Sequence, residues 1–214
     1  IGYDPPLIPC CVALERRFSR LAGPGRGWVQ MREIGVGLLG LGNVGVGVAR
    51  GLSVNGELIA GRTGFQLAVR RIAVRDPAKQ RPFPVDPSLL VTDPVAVIED
   101  DAVEVVVEMI GGTTLARDLT LRSLELGKPV VTANKALLAE HGAEIFGLAE
   151  AEHVDLYFES SVGGGIPIIR SLREGLIGTH IESVSGILTG TCNYILTRME
   201  REGLALQPVL EEAQ

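Results

Sequence analysis

Short apolar runs alternate with longer stretches of helical periodicity along most of this chain. The runs are rich in Val, Ile and Leu and are bounded by glycines or polar residues, which is typical of strands buried in a parallel sheet. The predicted strands cover residues 34–39, 66–74, 103–109, 129–132, 156–160 and 181–188. The predicted helices cover residues 46–52, 95–100, 114–126, 136–152, 168–174 and 190–202, and another begins at Pro208. Because strands and helices alternate, we expect an α/β fold with a Rossmann-type, doubly wound parallel sheet.

The same pattern suggests three regions. Residues 1–30 contain many prolines and glycines without sustained periodicity, so we expect a disordered or non-native extension. Residues 31–133 are expected to form the first domain, with the sheet complete at Thr132. Residues 134–214 are expected to form part of a second domain, which the chain leaves incomplete.

Composition narrows the possible functions. A net charge of −6 gives no basic surface for nucleic acid, and no apolar run reaches the ~18 residues that span a bilayer. The three cysteines, Cys10, Cys11 and Cys192, match neither a disulfide framework nor a zinc site. We therefore expect a protein in a reducing, cytoplasmic setting, with neither nucleic acid nor a membrane as its partner.

A glycine-rich turn follows the first predicted strand and precedes the first predicted helix. Gly40, Gly42 and Gly45 match the dinucleotide-binding pattern, in which glycines allow the turn, the approach of a pyrophosphate and close helix packing. The backbone N–H groups of Asn43 and Val44 would face the phosphates. The alternative is a glycine turn with a purely structural role.

The end of the second strand bears on which dinucleotide is bound. Arg75 and Lys79 are candidates to bind the 2′-phosphate of NADP, whereas Asp76 could accept the ribose hydroxyls of NAD. Arg75 lies further from the glycine motif than the usual ~20 residues, and we assign the excess to a polar loop at 55–64. NADP is the preferred prediction, and an ordinary surface arginine is the alternative.

Five segments resemble homoserine dehydrogenases, and the resemblance runs from about Met31 to the C-terminus. They are residues 37–45 (GLLGLGNVG), 108–112 (EMIGG), 131–138 (VTANKALL), 159–168 (ESSVGGGIPI) and 186–195 (GILTGTCNYI). The resemblance implies reversible oxidation of L-homoserine to L-aspartate 4-semialdehyde with NAD or NADP, in threonine and methionine biosynthesis. It also implies an α+β substrate and dimerisation domain, and hence a homo-oligomer.

Lys135 is the candidate catalytic residue. It follows the strand at 129–132, at the carboxyl edge where doubly wound sheets bind ligands. The resemblance places it beside cofactor and substrate, where it could stabilise an alkoxide, or pass a proton if burial lowered its pKa. A solvated lysine is the alternative, although the start of a helix disfavours a cation. Gly111, in the matching segment 108–112, is also assigned to the cofactor site.

Two further sites are expected in the second half. The resemblance implies that backbone oxygens of four residues bind a structural monovalent cation, usually sodium; they are Glu159, Val162, Gly164 and Ile166. The three glycines at 163–165 could turn carbonyls inward, or could serve packing alone. Gly190 and Thr191 are expected to hold the substrate carboxylate at a helix start, with a plain helix cap as the alternative.

Two other functions stay open. Cys192 could act as a nucleophile in a semialdehyde dehydrogenase that forms a thioester, although a packing role is simpler. The chain could also be a non-catalytic dinucleotide-binding module. By resemblance, the family's glutamate, aspartate and lysine that bind and deprotonate the substrate lie beyond residue 214, so we expect weak or no turnover from these residues alone.

Overall fold

The computed structural model describes residues 31–187 and 189–213. The expectation for residues 1–30, which include Cys10 and Cys11, lies outside the described residues. Within the described ranges, none of the helices is both long and apolar enough to cross a membrane.

The elements alternate as the sequence predicts. The strands are β1 (Arg32–Leu39), β2 (Phe65–Ala73), β3 (Leu90–Val91), β4 (Val105–Glu108), β5 (Val130–Thr132) and β6 (Leu156–Tyr157). The α-helices are α1 (Asn43–Val54), α2 (Gly56–Thr63), α3 (Val95–Ile98), α4 (Thr114–Glu125), α5 (Lys135–Ala151), α6 (Ile168–Arg170), α7 (Gly190–Glu202) and α8 (Leu206–Ala213). Short 3₁₀ turns cover Pro87–Leu89 and Glu159–Ser161, and a π-helical turn covers Ser171–Gly175.

The six strands form one parallel sheet in the order β3-β2-β1-β4-β5-β6. This order confirms the predicted Rossmann-type fold. The chain runs outward from β1 to one edge and then returns to add β4 on the other side of β1. Ligands of such folds bind at the carboxyl ends of the strands where this reversal occurs.

The core lies on both faces of the sheet, because alternate strand residues point to opposite faces. On β1, Leu38 belongs to one apolar cluster and Leu39 to the other, and both are fully buried. Helices α4 and α5 contribute side chains such as Leu119 and Ile145 to the cluster of Leu39. Ala49 of α1 packs in the cluster of Leu38. Burial on both faces explains why the strands are continuous apolar runs.

The sheet does not end at Thr132, and that expectation was wrong. Strand β6 pairs with β5 through Val130 and Leu156, and α5 packs against α4. Leu156 is buried in the same apolar cluster as Val130, so burial draws the sixth strand onto the sheet. The proposed domain boundary at 133–134 stays a prediction.

Two predicted segments form different structures. Residues 55–64 were expected to be a loop, but they contain α2, which is followed by a C-cap glycine, Gly64, with a left-handed φ of 76°. Its Glu57, Leu58 and Ala60 are good helix formers, which outweigh the glycines. The strand expected at 181–188 is not formed over the described residues 181–187. Ile187 is 66% exposed, and no described strand pairs with this segment.

Candidate functional site

A cavity of about 820 Å³ opens at the carboxyl edge of the sheet, beside the point where the strand order reverses. Its walls are the loop after β1, the loop after β2 and the turn after β4. Its lining residues include Gly40, Gly42, Arg75, Asp76, Lys79, Arg81, Met109 and Gly111. The predicted glycine turn and the predicted phosphate partners therefore lie around one cavity.

The three glycines of the turn differ in whether the fold itself requires a glycine at that position. Gly40 has a left-handed φ of 101°. A Cβ on Gly45 would lie 2.4 Å from the carbonyl oxygen of Gly40, so only glycine lets α1 approach the turn this closely. By contrast, a Cβ on Gly42 would meet no protein atom within 4 Å, although Gly42 lines the cavity. Internal packing thus explains Gly45 but not Gly42.

Helix α1 begins beside this cavity. Asn43 and Val44 are its first two residues, and Gly42 at the N-cap supplies no side-chain hydrogen bond to them. The first turn of α1 contains no acidic residue. Uncapped backbone N–H groups at a helix N-terminus attract anions, so this end of the cavity is suited to a phosphate group.

Three cationic side chains surround the end of the cavity next to β2. Arg75 and Lys79 were predicted here, whereas Arg81 was missed. The Arg81 guanidinium donates from Nη2 to the carbonyl of Asp76 at 2.9 Å and from Nη1 to the carbonyl of Lys79 at 2.8 Å. Arg81 therefore closes the loop that carries the other two cations. The sequence signal that could have identified Arg81 was its position six residues after Arg75.

Asp76 is the only acidic residue lining this cavity in the described part of the chain. Its Oδ1 accepts a hydrogen bond from the backbone N–H of Ala78 at 2.9 Å, so one carboxylate oxygen is used within its own loop. The local charge is therefore positive, although the net charge of the whole chain is −6. Such surroundings favour a ligand with an extra phosphate.

A smaller cavity of about 300 Å³ adjoins the first. It is lined by Val44, Met109, Gly111, Ala133, Asn134 and Lys135. Met109 and Gly111 line both cavities, so the two cavities together form one crevice along the carboxyl edge. Lys135 is the first residue of α5 and is exposed. Val44 of the glycine turn and Lys135 line this same cavity, so the turn and Lys135 lie on the same edge of the sheet.

A buried polar network lies beneath the junction of the two cavities, and sequence reasoning did not assign it a role. Glu108 is 0% exposed, and its Oε2 accepts from the Thr132 hydroxyl at 2.6 Å. Asn134 caps α5 by accepting from the N–H of Leu137 at 3.1 Å, and its Nδ2 donates to the carbonyl of Gly112 at 2.7 Å. A glutamate that ends a run of three valines was the signal for this network.

The candidate cation loop, residues 159–166, contains two glycines in the left-handed backbone conformation. Gly163 and Gly165 have left-handed φ values of 56° and 86°. The Glu159 carbonyl accepts from the N–H of Val162 at 3.2 Å, and the Ile166 carbonyl accepts from the N–H of Ile168 at 2.8 Å. Two of the four predicted oxygens therefore already accept hydrogen bonds.

Neither the cation loop nor the predicted carboxylate site lines the crevice. Helix α7 begins at Gly190, but its capping side chain is that of Thr189, which accepts from the N–H of Cys192 at 3.3 Å. The side chain that caps α7 therefore belongs to Thr189 and not to the predicted Gly190 or Thr191. Cys192 is exposed rather than packed.

Comparisons with known proteins identify the same family in both halves of the chain. A family model described as "Homoserine dehydrogenase, NAD binding domain" matches residues 40–159, and one described as "Homoserine dehydrogenase" matches residues 167–214. Similar curated proteins include the homoserine dehydrogenases of Neisseria gonorrhoeae, 46% identical over 86% of this chain, and Corynebacterium glutamicum, 47% identical over 92%. The chain spans 42% of the length of each. A crystal structure of a homoserine dehydrogenase from Thiobacillus denitrificans has a TM-score of 0.75 and 46% identity, covering 86% of this chain and 42% of that one.

Proposed function

The chain belongs to the homoserine dehydrogenase family, and we propose that it binds NADP in the crevice and takes part in the reversible oxidation of L-homoserine to L-aspartate 4-semialdehyde. One observation carries this proposal: the glycine turn lines both cavities of the crevice, so it lies between the cationic loop after β2 and Lys135. A dinucleotide needs this extended shape, with a phosphate site at a helix start.

The parts of the crevice suit the parts of the cofactor. The N–H groups at the start of α1 and the space beside Gly42 suit a pyrophosphate. The larger cavity near β2 would hold the adenosine end, and the smaller cavity beside Lys135 would hold the nicotinamide end. When bound there, the nicotinamide supplies a hydride acceptor for the substrate carbon.

The cations near β2 support NADP rather than NAD. Arg75, Lys79 and Arg81 line the cavity where the 2′-phosphate of an adenosine ribose would lie. An acidic residue at the end of β2 is the usual partner of the NAD ribose, and here that position is taken by a cationic loop. Asp76 is the alternative partner for NAD, but its Oδ1 already accepts a hydrogen bond from the N–H of Ala78.

Replacement of Arg75 by alanine tests the cofactor preference. The affinity for NADPH should fall about tenfold or more, because a hydrogen bond to a charged group is worth ~1.5–3 kcal/mol. The affinity for NADH should change by less than about twofold, since NADH has no 2′-phosphate. Both constants can be measured by fluorescence titration of the 214-residue chain.

The matched control for Arg75 is Arg62→Ala. Arg62 is an exposed arginine in the last turn of α2 and does not line the crevice. This variant should bind both cofactors like the wild type. Equal losses of NADPH and NADH affinity in Arg75→Ala, or no loss of either, would remove the phosphate role.

Lys135 is proposed to act at the substrate oxygen. Its exposed ammonium group at the edge of the smaller cavity would stabilise the alkoxide that forms as the hydride leaves homoserine. The substrate carboxylate is proposed to bind at Gly190 and Thr191, and a sodium ion at the backbone oxygens of the 159–166 loop. A homo-oligomer, a cytoplasmic location and a role in threonine and methionine biosynthesis belong to the same proposal.

A fusion protein tests this activity, because the chain spans 42% of its relatives. The 214 residues are joined to the portion of the Neisseria gonorrhoeae relative beyond the matched region, and homoserine-dependent NADPH formation is followed by absorbance. Lys135→Met should lower kcat by a factor of about 100 to 1000, as expected for loss of one group that stabilises an oxyanion. NADPH affinity serves as the control and should stay within about threefold. A fusion that binds NADPH but oxidises no homoserine would contradict the proposed reaction.

A further inference from the structure

Glu108 occupies the centre of the carboxyl edge of the sheet. It is the last residue of β4, and its register partners are Leu39 of β1 and Thr132 of β5. Its side chain is 0% exposed, although the three preceding residues of β4 are all valines. A carboxyl group at such a position is costly unless its oxygens find hydrogen-bond donors.

Two of the three donors to the Glu108 carboxylate, Ile110 and Gly111, line the crevice, and the third, Thr132, is buried. Its Oε1 accepts from the backbone N–H of Ile110 at 2.8 Å and of Gly111 at 3.4 Å, and its Oε2 accepts from the Thr132 hydroxyl at 2.6 Å. That hydroxyl accepts in turn from the backbone N–H of Asn134 at 3.0 Å. Since the Thr132 hydroxyl has one hydrogen, donation to Glu108 fixes its direction.

The network links the segments that follow two paired strands, β4 and β5. Gly111 and Gly112 have left-handed φ values of 78° and 71°, and the Asn134 side chain links Gly112 to the first turn of α5. Lys135 is the next residue after Asn134. The turn after β4 and the start of α5 are therefore linked both through Glu108 and Thr132 and through the Asn134 side chain, and both segments line the smaller cavity.

We propose that Glu108 is a positioning residue that keeps the turn at 110–112 and the start of α5 in the arrangement that binds the nicotinamide end of the cofactor. This inference rests on the proposed binding of NADP. An apolar residue would satisfy packing at the end of β4, since three valines precede it. The network instead fixes the backbone of Gly111 and the backbone at the start of α5, from which the Lys135 side chain extends.

Two pairs of variants and two ligands test the proposal. Glu108→Gln keeps the shape and one acceptor oxygen, but its amide nitrogen cannot accept the Thr132 hydroxyl hydrogen. Thr132→Val removes the hydroxyl at nearly constant volume, and Thr132→Ser keeps it. The ligands are NADPH and 2′-phospho-ADP-ribose, which lacks only the nicotinamide. Binding of both is measured by calorimetry, and folding by urea denaturation.

The expected result is selective. Glu108→Gln and Thr132→Val should each weaken NADPH binding by about tenfold, the effect of one lost buried hydrogen bond, and leave 2′-phospho-ADP-ribose within about twofold. Thr132→Ser should bind both ligands like the wild type. If Glu108→Gln fails to fold, the Thr132→Val and Thr132→Ser pair decides the question alone.

Other outcomes overturn the inference. Equal losses for the two ligands would assign Glu108 and Thr132 to general support of the crevice, and unchanged NADPH binding would remove their role. The inference would also be overturned if the wild-type chain bound 2′-phospho-ADP-ribose as tightly as NADPH. That result would leave the proposed dinucleotide site intact. Failure of the wild type to bind either ligand would instead refute the proposed function, and the inference with it.

Discussion

Replacing Gly45 by alanine is expected to reduce the affinity of the chain for NADPH about 100-fold. The new Cβ would lie 2.4 Å from the carbonyl oxygen of Gly40 and 3.1 Å from its carbon. Gly40 cannot move aside freely, because its N–H donates to the carbonyl of Ala73 at 3.0 Å. The start of α1 must therefore shift away from the turn. Strain of ~1–3 kcal/mol at such a contact would displace the N–H groups proposed to bind the pyrophosphate.

Gly47→Ala is the matched control for this experiment. Gly47 lies two residues further along α1, is exposed, and its added Cβ would meet nothing within 4 Å. NADPH affinity, measured by fluorescence titration, should be unchanged, and the free energy of unfolding should rise by up to ~1 kcal/mol. The steric argument fails if Gly45→Ala binds NADPH as tightly as Gly47→Ala does.

Replacing Gly35 by alanine is expected to lower the free energy of unfolding by ~3 kcal/mol or more. A Cβ at this buried position of β1 would lie 1.7 Å from the carbonyl oxygen of Ala102. The segment before β4 would have to retreat, although the N–H of Glu104 donates to the Gly35 carbonyl at 2.8 Å. Overpacking costs ~1–3 kcal/mol, and a lost buried hydrogen bond adds ~1 kcal/mol.

Urea denaturation of the 214-residue chain measures this effect as a lower midpoint at an unchanged slope. Gly61→Ala provides the control, because Gly61 lies in α2, is exposed, and has open space around its Cβ position. That variant should be slightly more stable than the wild type. A midpoint for Gly35→Ala equal to that of the wild type would mean that the segment at 100–104 adapts without cost.

The sequence predicts most of the sheet because its strands are buried on both faces. The run at 103–109 is apolar except for Glu104 and Glu108, and the glycine motif marks the turn after β1. The sixth strand was expected, but its place in the same sheet was not. That place depends on Leu156 packing beside Val130, a contact between residues far apart in the chain. Residues 181–187 show the converse, because a segment with apolar residues forms a strand only where another strand offers it hydrogen bonds.

The candidate site was predictable where it is local in sequence. The turn at 40–45 and the cations Arg75 and Lys79 follow directly from motif and position. Arg81 and Glu108 were missed because their roles depend on how the chain folds back. Arg81 closes a loop through backbone carbonyls, and Glu108 joins strands that are separated by more than twenty residues. The cation and carboxylate sites stay predictions.

The two cavities meet at Met109 and Gly111, and this continuity has an energetic consequence for the design of ligands. A molecule that reaches both compartments loses its translational and rotational freedom once, whereas two separate fragments lose theirs twice. A phosphorylated adenosine fragment tethered to a small aromatic amide should therefore bind far more tightly than either piece. The best tether would match the span across Gly111, because a strained or slack connection forfeits the gain in effective concentration.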